Sequence, residues 1–424
     1  MKTFKILKSL FTMLLMLCAI QGFAQTTIQN YRPDAKDGLN MFETPKETTV
    51  EYEGLKVKIG GDFAMQFQSI NQSNTANNLL ELGSNLNLPT ANLNLDVQLE
   101  DGLRMHLRTY LSARHHEESW VKGGYLQMDK LDFIKEGFLS GFMEVATIRV
   151  GMDEFNYGDA HFRRTDNAKA IYNPFVGNYI MDAFSTEAFL ELTLQNNGLL
   201  GVLGVTNGKL NQNVVVNDDS DNKVSFFGKV GYDKQLNEDL RLRLTGSWYI
   251  NKGSTTGTWL YGGDRGGSRY YGIMHLVDDV SGRANSDFSG RYNARFTEIT
   301  AIQVNPFLKY KDLEFFGIYE IASGSATGEG SATQMAGEAI YRLGENDQFY
   351  LGGRYNTVKG NTVDGAPDLE IKRFNVGGGW FITKNVITKL EYVNQKYEGD
   401  GYAGNTQFEG GEFKGFVIEA AISF

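Results

Sequence analysis

The chain has 424 residues, a formal net charge of −10, and 49 glycines, 28 phenylalanines and 21 tyrosines against only 6 prolines. The acidic balance argues against a nucleic-acid partner, because nucleic acids select basic surfaces. The single cysteine, Cys18, lies in an apolar segment near the start, so disulfides and thiolate catalysis are excluded for the rest of the chain.

Residues 1–24 have the pattern of a cleaved signal peptide. Three lysines precede an apolar stretch over residues 10–20, and Gly22-Phe23-Ala24 is a small-x-small cleavage site. Leu17 is too large for the lipoprotein type of cleavage before Cys18, so we expect no lipid anchor. Removal of the three lysines takes the charge from −10 to about −13 (−10 minus 3), and export is expected. No later apolar run approaches the ~20 residues that a membrane-spanning helix needs.

Residues 25–54 show no convincing alternation of apolar and polar side chains. They are predicted to form either a periplasmic tail or a plug inserted into the following domain, and the sequence does not decide between the two. Residues 55–424 contain many segments of alternating apolar and polar side chains, which predicts one all-β domain.

The segment 103–114 shows the alternation clearly. Its odd positions are mainly apolar, whereas its even positions include Arg104, His106 and Arg108. If residues 100–102 form a turn, Val97 pairs with Met105 and Leu99 with Leu103, while the polar residues of both strands share the other face. Hairpins with turns at 311–312 and 383–385 are predicted by the same test.

The alternation of apolar and polar residues, applied along the chain, predicts a transmembrane antiparallel β-barrel of about 16 strands, with short turns at one end and long external loops at the other. Two connections, 153–185 and 252–294, are too long for ordinary hairpins, and an extra hairpin would raise the count to 18. The predicted strands are 55–70, 88–99, 103–114, 120–130, 141–152, 186–196, 199–207, 222–234, 239–251, 295–310, 313–323, 332–344, 347–358, 370–382, 386–397 and 412–424.

The last strand ends on an aromatic residue. Every second residue of this strand is apolar, so one face of it carries only apolar side chains. These residues are Phe416, Ile418, Ala420, Ile422 and Phe424. A strand of this type resembles the last strand of bacterial outer-membrane β-barrels. That resemblance implies an assembly signal recognised by the barrel-assembly machinery, and a strand that closes the barrel against residues 55–70.

With these features the chain resembles the general porins of Gram-negative outer membranes. The stretch GGGWFITKNVITKLEYV (377–393) and the arginine-bearing LRMHLRTYLSAR (103–114) are similar to the phosphate-selective porin O/P-type group. The resemblance implies a sixteen-stranded barrel in contact with outer-membrane lipid and lipopolysaccharide, often a homotrimer, with an inward-folded third loop and lumenal basic residues that pass anions. The sequence departs from a purely basic lumen at Asp96, Glu191, Glu314, Glu338, Glu391 and Glu419.

Basic residues on the inner face are the candidate pore-lining residues. They are predicted to form an electrostatic track that favours anions. The alternative is that they pair with acids such as Asp96 and stiffen the barrel wall. The candidates are Arg104, His106, Arg108, Arg114, Arg241 and Arg243.

The long third external loop is the candidate constriction. Its apolar residues favour packing inside the barrel, where the loop would narrow the lumen; the alternative is a solvated external loop. The residues predicted to form the constriction are His161, Arg163, Arg164, Asp166 and Lys169.

No catalytic motif, cofactor motif or metal site is recognised. The adjacent histidines 115 and 116 point to opposite sides of an extended chain and do not suit joint chelation. Two functions remain: a passive channel for small hydrophilic solutes, with an anion or phosphate preference implied by the resemblance, or a non-conducting barrel that acts as a surface scaffold or adhesin. Inner positions are mostly polar, with exceptions at Phe307, Phe316 and Ile318, which favours the channel.

Overall fold

The computed structural model describes residues 27–111, 119–164, 169–210, 214, 223–253, 260–261, 270–279, 288–292, 294, 296, 298–325, 329–361 and 363–424. Sixteen of its strands form one closed antiparallel barrel, and two short strands, Tyr270–Tyr271 and Phe288–Ser289, form a separate two-stranded sheet. The strands are β1 Lys56–Ser73, β2 Asn85–Glu100, β3 Leu103–Leu111, β4 Ser119–Met128, β5 Ala146–Glu154, β6 Thr186–Asn196, β7 Leu199–Thr206, β8 Ser225–Gln235, β9 Leu240–Asn251, β10 Tyr270–Tyr271, β11 Phe288–Ser289, β12 Glu298–Tyr310, β13 Leu313–Ser325, β14 Glu329–Leu343, β15 Phe349–Asn361, β16 Leu369–Thr383, β17 Val386–Glu398 and β18 Glu412–Ser423.

The barrel closes where its first and last strands pair. Phe63 lies opposite Ile422, and Phe67 lies opposite Ile418. Beyond the last paired residue, the backbone N–H of Phe424 donates to the carbonyl of Gly61 (3.1 Å). The predicted closure is confirmed, and the barrel has no free edge strand that could pair with another chain.

Side-chain parity separates an apolar outer face from a mainly polar inner face. On β18, Phe416, Ile418 and Ile422 are exposed, whereas Val417 and Glu419 between them are fully buried. The same alternation runs through β13 and β15. An outer surface of exposed apolar side chains suits contact with lipid, and the barrel satisfies the backbone hydrogen bonds internally.

The predicted hairpin registers are confirmed with one exception. Val97 pairs with Met105 and Asp96 with His106, but a bulge between Gln98 and Glu100 places Glu100, not Leu99, opposite Leu103. The 311–312 hairpin has the predicted pairs. At the 383–385 hairpin Trp380 faces Thr388, and a bulge brings Thr383 into the strand.

The prediction of a strand over 141–152 is wrong in its first half. A short helix occupies Ser140–Met143, and β5 starts at Ala146. Met143 is buried against Leu131 and Ala146, so this otherwise exposed connection obtains a small core of its own. The connection from β4 to β5 is therefore long, although it lies at the end of the barrel where the other turns are short.

In the described part of the chain, the remaining helical elements are single 3-10 turns. They lie at Ala35–Gly38, Ala160–Arg163, Ala170–Tyr172, Glu345–Asp347 and Asp400–Tyr402. Within the described ranges, no helix is both long enough and apolar enough to cross a membrane.

Three segments fill much of the barrel interior: the third external loop, parts of the connection between β9 and β12, and the N-terminal residues 27–54. Tyr261 of the second segment donates to Glu320 on the inner wall (2.8 Å), and Tyr292 N–H donates to the carbonyl of Ile180 in the third loop (2.8 Å). The largest buried apolar cluster therefore lies inside the barrel, where these segments meet the wall.

Candidate functional site

The candidate pore-lining residues on β3 lie inside the barrel beside carboxylates. Asp96 Oδ1 is 2.8 Å from His106 Nδ1 and 3.5 Å from Arg104 Nη1. Arg108 Nη1 is 3.1 Å from Asp153 Oδ1. A guanidinium beside a carboxylate contributes little net field, so this arrangement stiffens the wall while it leaves polar edges towards the interior.

The two candidates on β9 lie in a second charged cluster. Arg243 donates from Nε and Nη2 to the two oxygens of Asp159, both at 2.8 Å, and from Nη1 to Asp233 at 3.0 Å. Arg241 is paired with the same Asp233 (2.7 Å) and is less buried. Arg114, Asp166 and the histidines 115 and 116 lie outside the described residues.

The six inner carboxylates that depart from a basic lumen are all buried on the inner wall. Most are matched by a neighbouring strand: Glu191 accepts from Arg149 (2.7 Å), and Glu314 accepts from Arg342 (2.7 Å). Glu391 instead binds a loop, since its carboxylate accepts from the Val176 N–H at 2.8 Å. Most charged side chains of the inner wall are therefore paired with each other, and some of them instead bind the segments inside the barrel.

The third external loop folds inwards and docks on the wall formed by β12 to β17. The Ile180 N–H donates to Asn356 (2.7 Å), and the Met181 N–H donates to Gln334 (2.8 Å). Arg354 returns a hydrogen bond to the carbonyl of Gly177 (2.7 Å). Because wall side chains satisfy much of the loop's backbone, the loop lies in the interior with only two 3-10 turns, Ala160–Arg163 and Ala170–Tyr172, of its own.

The four described candidate constriction residues of this loop, His161, Arg163, Arg164 and Lys169, are buried, each with a protein partner. Arg163 Nη2 is 2.8 Å from Glu338 Oε1, and Arg164 pairs with Asp182 inside the loop (2.9 Å). Lys169 pairs with Glu154 and donates to the carbonyl of His161 (3.0 Å). Burial, reinforced by the nearby Lys229 ammonium, lowers the pKa of His161 to about 3, so its imidazole is neutral at pH 7.

The N-terminal segment contributes residues that the inspection of strand faces did not identify. Glu43 Oε2 is 2.8 Å from Arg243 Nη1, and Glu43 Oε1 is 3.2 Å from Lys229 Nζ. Burial raises the pKa of this carboxyl, but the two cations outweigh burial and lower it to about 2. Glu43 is therefore ionised, and it closes the charge cluster around Asp159.

Phe42 anchors the same segment in an apolar recess of the wall. Its ring centroid is 5.3 Å from that of Phe307 and 6.5 Å from that of Phe316. These wall residues, with Ile318, were the apolar exceptions on the inner parity, and they belong to one buried cluster with Phe42. The exceptions were thus the one signal in the sequence for a docking site on the inner wall.

A polar cavity of about 160 Å³ lies between the wall of β2 to β6, the N-terminal segment and the third loop. Among the described residues, Asp96 Oδ2 and His106 Nε2 have no hydrogen-bond partner although both side chains line this cavity. A cavity of this size with unmatched polar atoms is suited to water and to small hydrated solutes. Its lining includes Arg104, Arg108, Arg149, Asp153, Glu154 and Lys169.

Comparisons with known proteins give structural matches only. No family model and no curated protein sequence matches the chain. The anion-selective porin from Comamonas acidovorans is similar with a TM-score of 0.51 and 11% identity over 87% of this chain and 100% of that one. The outer membrane channel DcaP of Acinetobacter baumannii is similar with a TM-score of 0.55 and 10% identity over 88% and 99%.

A trimer form of OmpT, an outer membrane protein of Vibrio cholerae, has a TM-score of 0.51 and 11% identity over 88% of this chain and 100% of that one. At such identities the similarity establishes the fold. Together with the closed sixteen-stranded barrel and its apolar outer face, it shows that the chain is an outer-membrane β-barrel.

Proposed function

We propose that the barrel is a porin-type channel for passive diffusion of small hydrophilic solutes across the outer membrane. The observation that carries the proposal is the polar cavity inside the barrel, which is bordered by charged side chains rather than filled by apolar ones. The similarity of the fold to solved porins and channels supports it.

The passage would run along the wall of β2 to β6, beside Arg104, His106 and Arg108. A solute that moves along this wall loses hydrogen bonds to water and gains hydrogen bonds to the paired charged side chains. This exchange lowers the free-energy cost of its partial dehydration. We propose that the third loop, with His161, Arg163, Arg164, Asp166 and Lys169, forms the constriction on the opposite side.

A preference for anions or phosphate is the finer proposal, and the charge of the cavity bears on it. Seven carboxylate residues and five arginines or lysines line the cavity. This balance supports weak selectivity more than phosphate selection, because lumenal charge sets the preference of a pore. The basic residues would then shape the path of a solute without strongly sorting its charge.

The remaining assignments of the chain are also proposals. Residues 1–24 would be the cleaved signal peptide, 25–54 an N-terminal segment within the barrel, and 55–424 the barrel itself. The outer face of β18, through Phe424, would be recognised by the barrel-assembly machinery. We place the chain in contact with lipopolysaccharide as a homotrimer, and assign it no enzymatic activity and no cofactor.

The second candidate function is a non-conducting barrel that acts as a surface scaffold or adhesin. The packing of the third loop and of Phe42 against the wall favours this alternative, because both reduce the open cross-section. The predicted contact surfaces are the loops 252–294 and 324–331.

Planar-bilayer recording of the purified, refolded protein separates the two functions. The channel proposal expects discrete conductance steps, and a small reversal potential in a salt gradient because the cavity has mixed charge. A protein that inserts, shows heat-modifiable mobility on gels and produces no steps would reject the channel and favour the scaffold. A large reversal potential of anionic sign would support the finer anion proposal.

A further inference from the structure

The N-terminal segment enters the barrel from the end at which β1 begins. The third loop is held between two strands, whereas residues 27–54 join the barrel through Lys56, the first residue of β1. The segment contributes no strand to the barrel, which closes through the pairing of β1 with β18. It can therefore leave the interior without breaking the barrel's own hydrogen bonds.

Contacts along its whole length hold the segment in place, from Gln29, which is hydrogen-bonded to Gln98, to Lys46, which is 3.0 Å from Asp129. Phe42 is its apolar anchor, Glu43 its charged anchor, and Asn40 donates to Glu314 on the wall (2.6 Å). Nearer the mouth, Asp34 is 2.7 Å from Lys58, and the Lys36 N–H donates to the carbonyl of Lys384 (2.8 Å). These contacts are noncovalent and mostly polar, so water can replace most of them.

The segment also divides the space at this end of the barrel. One face of it borders the inner cavity of about 160 Å³, through Tyr31, Arg32 and Glu43. Other faces border cavities of about 330 Å³ and about 560 Å³ that lie beside the turns at residues 384–385 and 196–198. Removal of the segment would join spaces that it now separates.

The segment also changes the charge of the surface that it covers. Arg32, Lys36 and Lys46 stand against Asp34, Asp37, Glu43 and Glu47, so residues 27–50 have a net charge of −1 (+3 − 4). Glu43 lies on Lys229 and Arg243; without it, these two cations and the neighbouring Arg241 face only Asp159 and Asp233, a net charge of +1 (+3 − 2). Departure of the segment would leave this part of the wall more basic.

We infer that residues 27–50 are a displaceable plug that limits the conductance of the channel and, through Glu43, neutralises the basic cluster of Lys229 and Arg243. This inference rests on the proposed channel function. Displacement opens the short-turn end of the barrel, raises the conductance and moves the selectivity towards anions.

The test compares the refolded mature chain with a variant that lacks residues 27–50 and with the double variant Phe42→Ala/Glu43→Gln, in planar bilayers with a salt gradient. Glu47→Gln is the matched control, because it removes the same charge from an exposed position of the same segment. Heat-modifiable gel mobility confirms that each barrel is folded.

A disulfide lock tests displacement within one folded protein. The backbones of residues 36 and 384 are hydrogen-bonded, which brings their Cα atoms near the separation that a disulfide spans. In Lys36→Cys/Lys384→Cys the oxidised form holds Phe42 and Glu43 between two tethers, whereas the reduced form does not. Because the predicted mature chain has no other cysteine, Lys384→Cys alone is the control.

The inference expects a conductance at least ~2-fold higher for the deletion than for the full chain, and a reversal potential shifted towards anions. The double variant should show part of both effects, and Glu47→Gln neither. The oxidised lock should lack openings to the higher level, which return on reduction.

Equal conductance of the full chain and the deletion, with no effect of the lock, would overturn the plug and leave the channel intact. Absence of conductance in every form, with folded barrels, would overturn the plug together with the proposed channel.

Discussion

At the scale of single residues, the interior is organised by pairs of opposite charge. Asp159 is the clearest case: it is fully buried, and its carboxylate accepts from Arg243, Lys229 and Thr245. Burial raises its pKa, but Arg243 and Lys229 outweigh burial and lower the pKa of this carboxyl. Strand parity predicted that Arg243 faces inwards, but its partner Asp159 lies on the third loop and could not be assigned.

Replacement of Asp159 by Asn should destabilise the folded protein strongly. The change leaves two buried cations short of a partner, and loss of one member of a buried ion pair costs about 3–5 kcal/mol. Denaturant unfolding in detergent micelles at pH 7 measures the effect. Asp101→Asn is the control, since its pair with Lys130 is exposed and such pairs contribute about 0–1 kcal/mol.

The same pair of variants gives a pH test. Because the pKa of Asp159 is lowered on folding, its contribution is complete above about pH 4, the ordinary range of an aspartate, and is lost as the pH falls further. The gap between wild type and Asp159→Asn should shrink below that pH. A gap of under about 1 kcal/mol at pH 7 would show that Asp159 does not hold this cluster together.

Phe424 is the residue on which the assembly proposal depends. Its ring lies on the outer face and its backbone pairs with Gly61. Phe424→Ala should reduce the amount of protein assembled in the outer membrane, with the conductance of each assembled channel unchanged. Phe416→Ala is the control, because Phe416 is exposed on the same face of β18 but is not terminal. Similar assembly of both variants would remove the signal role from Phe424.

At the scale of elements, strands were predictable and interior segments were not. Alternation in the sequence reports which face of a strand is apolar, so the positions of the sixteen barrel strands, the register of three hairpins and the closing pair of strands could be predicted. The bulge near Gln98 and the helix Ser140–Met143 could not be predicted from alternation, because each depends on local packing. The third loop has no periodicity, and its inward fold was predicted from apolar composition and from the porin resemblance.

Deletion of residues 160–180 should enlarge the channel. This part of the third loop occupies interior space and docks on the wall through Ile180 and Val176. Its removal should raise single-channel conductance in planar bilayers while the barrel strands, which pair with each other, remain folded. Unchanged conductance with normal heat-modifiable mobility would mean that the loop does not form the constriction.

At the scale of the whole molecule, the structure combines a porin-like barrel with an interior narrowed by three segments. The polar inner parity indicated an open lumen, yet many of those polar groups bind the third loop and the N-terminal residues. The sequence could not reveal this use, because a wall that hydrogen-bonds a loop has the same alternation as one that faces water. On the wall itself, only the apolar residues around Phe307 indicated a docking site for an inserted segment.

The central claim, passive diffusion through a narrow polar passage, is tested most directly by swelling of proteoliposomes in isotonic solutions of uncharged solutes of graded size. The account predicts rapid swelling with the smallest sugars and polyols and a steep decline with increasing size. Swelling that never exceeds that of protein-free liposomes, from vesicles shown to contain folded barrel, would contradict it.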